Sequence, residues 1–216
     1  MTAARRLGRP PASDGSDTQQ RIIDAARRSF AECGYTATTN RTIAEEAGIT
    51  TGAIYHYFTS KRHLYETVFT EAEELVSARL VAARDHAPED FGGRMRAVLE
   101  ETTAINFDDP SLARFLVTVG TEARRHEELR PLLRLLGGYN RRIFGPVVDD
   151  AMARGELPAD MGRATLLRVI GVLVAGLSEV SANFATAQQL AVNTEAIIQL
   201  LEGRLVAPAR RPGARR

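Results

Sequence analysis

The sequence predicts an all-α protein in two parts. A small N-terminal three-helix unit precedes a larger helical domain, about nine helices in all. Three observations lead there. Apolar residues recur every three or four positions along most of the chain, and the two-residue alternation of a strand is absent. Glycine, proline and small hydroxyl residues sit where those runs begin and end. Charge is divided along the chain: residues 1–61 carry 8 Lys+Arg against 6 Asp+Glu, residues 62–202 carry 15 against 21, and residues 203–216 carry 5 against none. The acidic middle is a poor match for nucleic acid, whereas the first segment can meet it. The expected boundaries are a flexible basic arm at 1–17, a small helical unit at 18–64, a larger helical domain at 65–206, and a disordered basic tail at 207–216.

Taken in order, the arm holds Arg5, Arg6 and Arg9, with Leu7-Gly8-Arg9-Pro10 shaped like half of a minor-groove hook. A first helix starts near Asp17 or Thr18 and buries Ile22, Ala26, Phe30 and Cys33, with Gly34 closing it. Cys33 is the only cysteine, and it is expected to pack as a small hydrophobe. A single cysteine with no secretion signal points to the cytoplasm. Two short helices follow, Arg41 to Ala47 and Thr51 to Phe58. Thr39 or Asn40 caps the first, Gly48 makes the turn, and Thr50 caps the second. Ile54 and Phe58, four apart, point inward.

That is the form of a helix-turn-helix. Its outward set is Thr50, Thr51 and Gly52, small enough for a DNA backbone to approach, with Tyr55, His56 and Tyr57 beside it. Arg41 stands at the entry of the first short helix, and Lys61, the only lysine, opens a fourth helix running to about Arg84. That helix belongs to both domains.

Later helices are predicted at about 91–106, 110–126, 131–154, 160–185 and 188–205, with Pro146 kinking the third of these. Leu166, Ile170, Leu173, Leu177, Val180 and Phe184 form a seam of alternating four- and three-residue steps. With Ile197 and Leu201 of the last helix, that seam is expected to meet its twofold mate as a four-helix bundle.

Enzyme chemistry finds no footing. His56, His63, His86 and His126 have no partners at metal spacing, and neither a phosphate-cradling loop nor a Gly-x-Ser-x-Gly elbow occurs. The reading is a non-enzyme with no cofactor, no metal and no membrane partner.

The string Thr39-x-Arg41-x-Ile43-Ala44-x-x-Ala47-Gly48-Ile49-x-x-Gly52-x-Ile54-Tyr55-x-Tyr57-Phe58-x-x-Lys61-x-x-Leu64 resembles the signature of TetR-family transcriptional repressors. The match spans about residues 18–65, and beyond it the resemblance is architectural. Many members carry histidine where this chain has Tyr57. The resemblance implies a homodimer on a palindromic double-stranded operator, with Thr39, Arg41, Thr50, Thr51, Gly52, Tyr55, His56, Tyr57 and Lys61 at the DNA. It also implies a small-molecule cavity among helices 4 to 8. Leu99, Thr103, Phe107, Phe115, Tyr139, Phe144 and Leu177 are its wall candidates, and a hydrophobic effector bound there releases the operator. The alternative is a ligand-independent or activating helix-turn-helix regulator.

Overall fold

The computed structural model describes residues 13–158, 160–183 and 186–204. The arginine arm at Arg5, Arg6 and Arg9, the seam residue Phe184, Leu205 and the tail at 207–216 lie outside the described residues. Those residues form α1 (Ser13–Ala37), α2 (Asn40–Ala47), α3 (Thr51–Tyr57), α4 (Lys61–Asp85), α5 (Phe91–Asp108), α6 (Pro110–Arg125), α7 (Leu132–Ala153), α8 (Arg163–Asn183) and α9 (Ala187–Leu201), with a 3-10 turn at Glu127–Leu129. No strand occurs among the described residues. The chain divides into two compact units, Met1–Thr70 and Glu71–Arg216.

In the first unit, α1 begins at Ser13, earlier than the apolar stripe alone indicates. At the other end Gly34 adopts φ 76, ψ 175 and breaks the helical path before Ala37. Ile22, Ala26 and Phe30 of α1 are buried with Ile43 of α2, Ile54 of α3, Phe58, and Leu64 and Val68 of α4. An aromatic cluster extends this core: the Tyr65 ring meets Phe30 at 4.8 Å and Tyr35 at 5.1 Å, both edge-on. Cys33, expected inside, is exposed. By spacing it continues the Ile22–Ala26–Phe30 stripe, but it stands one residue before the Gly34 break, where the helical path ends.

In the second unit α5 lies against α6, α7, α8 and α9, and α8 packs on α6 and α7. The core is built from Val98, Leu99, Phe115, Val119, Ile143, Phe144, Val147 and Leu177. Asp90 caps α5 by accepting from Gly93 N–H at 2.8 Å, and Asp109 caps α6 ahead of Pro110. α9 is fastened to α5 by Arg96 to Glu195 at 2.8 Å and by the paired hydroxyls of Thr103 and Thr194 at 3.0 Å.

α7 runs through Pro146 as one helix. Proline has no N–H, so the carbonyl of Arg142 loses its partner. Arg84, buried on α4, donates to Arg142 O at 3.2 Å and Ile143 O at 3.0 Å and satisfies it. Arg142 in turn donates to Ser77 Oγ at 3.1 Å and pairs with Glu73. Tyr139, half-buried on the same helix, has its phenol pushed far above the ordinary value by burial alone, so it stays neutral.

Candidate nucleic-acid interface

The turn between α2 and α3 is fixed at three points. Thr39 has extended backbone and caps α2: its hydroxyl accepts from Thr42 N–H at 3.1 Å, and Thr42 Oγ1 accepts from Thr39 N–H at 3.1 Å. Gly48 takes φ 67, ψ 39, the left-handed conformation that closes a helix, and Ile49 N–H reaches Ala44 O at 3.0 Å. Thr50 then caps α3, accepting from Ala53 N–H at 3.3 Å. Arg21 of α1 donates to Ala47 O, the carbonyl left over at the end of α2. Arg28 and Ser29 of α1 grip Glu46 at 2.5 and 2.9 Å. These contacts hold α2 on α1 across 17 to 26 residues of sequence, a separation that no local pattern reports.

Only Ile54 of α3 and the following Phe58 turn inward. Thr50, Thr51, Gly52, Tyr55 and His56 are exposed, Tyr55 at 59%, and Tyr57 is half-buried. An exposed tyrosine on a helix whose inner face is fully used has no role in the unit's own packing. Gly52 is equally informative. A Cβ there would meet nothing nearer than Thr50 Oγ1 at 4.0 Å, and its φ is ordinary. The fold does not require glycine at this position, although glycine costs a helix about 1 kcal/mol against alanine. A helix that carries glycine where its own packing leaves room for a methyl is open to close approach by another molecule. Gly48 is the opposite case, since its positive φ is demanded by the turn itself.

The two candidate cations differ. Arg41 is exposed and paired with Glu45 one turn on, at 2.9 Å. Such a surface pair is weak and opens readily. Lys61 Nζ donates to the carbonyls of Tyr35 at 2.7 Å, Thr36 at 3.3 Å and Thr38 at 3.0 Å, and lies 4.5 Å from the centre of the Tyr35 ring.

The second unit's candidates differ in burial. Leu99, Phe115, Phe144 and Leu177 are core residues, Thr103 bonds Leu99 O and Thr194, and Phe107 is exposed at the end of α5. On α8 the structure shifts the expected register. Leu166, Ile170 and Leu177 are buried within their own chain, and Leu173 is half-buried. Of the expected seam Val180 is exposed, as are Val169 and Val172 outside it, with Val192 and Leu200 on α9, while Ile197 and Leu201 are half-buried. Arg163–Ser181 is long and apolar enough by composition to cross a membrane, a test that the core helix of a soluble protein passes as well. The helix is apolar on both faces, one of which packs inside its own unit.

Residues 22–68 match the family described as bacterial regulatory proteins, tetR family. The regulator UidR of Escherichia coli K12 is 22% identical over 165 residues, covering 76% of this chain and 82% of that protein. BetI of Burkholderia thailandensis is 33% identical over 127 residues, 57% of this chain and 62% of its own length. Among solved structures, Salmonella enterica GusR aligns with a TM-score of 0.66 at 25% identity, over 93% of this chain and 99% of that one. Bacillus subtilis FadR, solved with stearoyl-CoA, aligns with a TM-score of 0.71 at 20% identity, over 86% of this chain and 98% of its own, and so shares the fold. Over residues 22–68 the chain is similar to the tetR family of bacterial regulatory proteins, and the relatives named are transcriptional regulators. α2 and α3 are the helix-turn-helix of the matched segment, which ends inside α4.

Proposed function

We propose that this protein is a ligand-responsive transcriptional repressor. It binds an inverted-repeat operator as a homodimer in the cytoplasm and is released by a small hydrophobic effector. The observation that carries the DNA half is the outer face of α3, where Thr50, Thr51, Gly52 and Tyr55 stand exposed on a helix whose inner side is fully packed. α3 enters the major groove, Thr51 and Tyr55 reach base edges or thymine methyls, and Thr39, Arg41, His56 and Tyr57 meet the flanking backbone.

The homodimer is supported by the apolar stripe Val169, Val172 and Val180 on α8 with Val192 and Leu200 on α9. A second copy covers it, rather than lipid: Arg168 and Glu179 interrupt the apolar helix and are exposed. Twofold symmetry in the protein demands it in the operator, with half-sites about 34–36 Å apart.

The effector half rests on the family resemblance and on the fold shared with FadR, which was solved with stearoyl-CoA. Leu99, Phe115, Tyr139, Phe144 and Leu177 line its site. Apart from the Tyr139 hydroxyl these groups are apolar, which selects a hydrophobic molecule. The effector must bind the DNA-incompetent form more tightly, since equal affinity shifts nothing. A coupling of about 1–3 kcal/mol lowers operator affinity about 5- to 150-fold. The test is a thermal-shift screen of small hydrophobic molecules, followed by a DNA-binding titration with each hit. Hits that raise the melting temperature and weaken DNA binding support the switch. Hits that stabilise the protein and leave DNA affinity unchanged make it a ligand-independent regulator.

A further inference from the structure

The cation at the start of α4 has the wrong surroundings for a phosphate contact. An ammonium group has three N–H donors and no acceptor. Lys61 Nζ has three carbonyl oxygens within hydrogen-bond distance, those of Tyr35, Thr36 and Thr38. These carbonyls lie where α1 ends past the Gly34 break and the chain crosses into the Thr39 cap of α2. The last carbonyls of a helix lack internal partners and carry the negative end of its dipole. The Tyr35 ring lies beneath the charge at 4.5 Å, and that ring is itself held edge-on by Tyr65. Thr38 Oγ1 ties the same crossing back to Ser29 O at 3.0 Å and Gly34 O at 2.8 Å.

From this geometry we infer that Lys61 is a positioning residue. It clamps the α1–α2 crossing, sets where the helix-turn-helix begins, and neutralises no phosphate. This rests on the DNA-binding reading above and changes the part Lys61 plays in it. The exposed Arg41, held only by a surface pair, remains free to swing to the backbone. Lys61 would have to abandon three carbonyls to do so.

Because Lys61 is the only lysine in the sequence, its accessibility can be read without mutation. The full chain is acylated with an N-hydroxysuccinimide ester, and peptide masses separate Lys61 from any terminal amine. In the folded protein Lys61 should react at least about tenfold more slowly than in guanidinium chloride, since reaction waits for the clamp to open. A duplex enriched by the full chain from a random-sequence pool should leave that rate unchanged. Rapid reaction in the folded protein, or marked slowing on adding the duplex, overturns the inference. A second arm uses Lys61→Met, which keeps the stem over Tyr35 and loses the charge. Its melting temperature should fall, and its affinity for the same duplex should drop by one factor at every salt concentration. A residue neutralising one phosphate would lower the salt slope by about 0.9. That loss of slope, or an unchanged melting temperature, contradicts the clamp. If the wild-type chain enriches no duplex, the DNA-binding reading fails, and the acylation rates still decide the clamp.

Discussion

The first unit and α8 of the second present the same problem to a chain and solve it differently. In the first unit, the two short helices α2 and α3 are told apart by what stands at their ends. Thr39 and Thr50 cap, Gly48 turns, and the inner face of α3 is reduced to Ile54 with Phe58 following. Apart from Tyr55 and Tyr57, what does not face inward on α2 and α3 is polar or small, so inside and outside are unambiguous. α8 is apolar on both faces. Leu166, Ile170 and Leu177 fill their own core, and Val169, Val172 and Val180 stand outside it. A stripe that steps by four and three identifies a helix with a seam. It does not say which of two apolar faces belongs to the chain and which to a partner.

The sharpest way to break that comparison is a pair of arginines three turns of thought apart in meaning but five residues apart in sequence. Leu177 is 3% exposed, so Leu177→Arg buries an unpaired charge and should unfold the second unit, at a cost of several kcal/mol. Val172 is 71% exposed, so Val172→Arg should leave the circular dichroism spectrum intact and convert dimers to monomers in light scattering. Dimers surviving Val172→Arg would remove the stripe from the interface.

A somewhat smaller effect is expected in the first unit. Ile54→Ala should cost about 2–5 kcal/mol, read as an earlier denaturant midpoint, because Ile54 is fully buried in a small core. An unchanged midpoint would mean that α3 is not anchored as described.

The two glycines of the turn give the finest distinction. Gly48→Ala forces a side chain into φ 67 and should destabilise by about 1–2 kcal/mol. Gly52→Ala should stabilise the helix by up to about 1 kcal/mol, since nothing crowds the new methyl, and should still weaken DNA binding. Equal stability changes at both glycines, or intact DNA binding in Gly52→Ala, would erase the distinction between a glycine the fold needs and one the partner needs.

Much of the first unit was legible because caps and left-handed glycines act within four residues. The helix order of the second unit was legible for the same reason, through Asp109-Pro110 and the glycine at 155. What the sequence withheld was contact across distance. Arg21 on Ala47 O and Lys61 on the end of α1 each span 26 residues, and Arg84 on the carbonyls beside Pro146 spans 58 and 59. A lone lysine after a turn reads as a free cation until the carbonyls around it are seen. The apolar rhythm places Cys33 inward, yet it sits near a helix end where the rhythm outlasts the core, and Phe107, a wall candidate on the resemblance alone, is exposed at the end of α5.

The central claim is that the exposed face of α3 reads DNA. It is tested most directly by enrichment of duplexes from a random-sequence pool, using the full wild-type chain and Thr51→Glu side by side. Thr51 is exposed, so the substitution leaves the unit folded while setting a negative charge at the proposed groove face. The account predicts an inverted repeat enriched by the wild-type chain and no enriched sequence with Thr51→Glu. The same repeat recovered by both chains would contradict it.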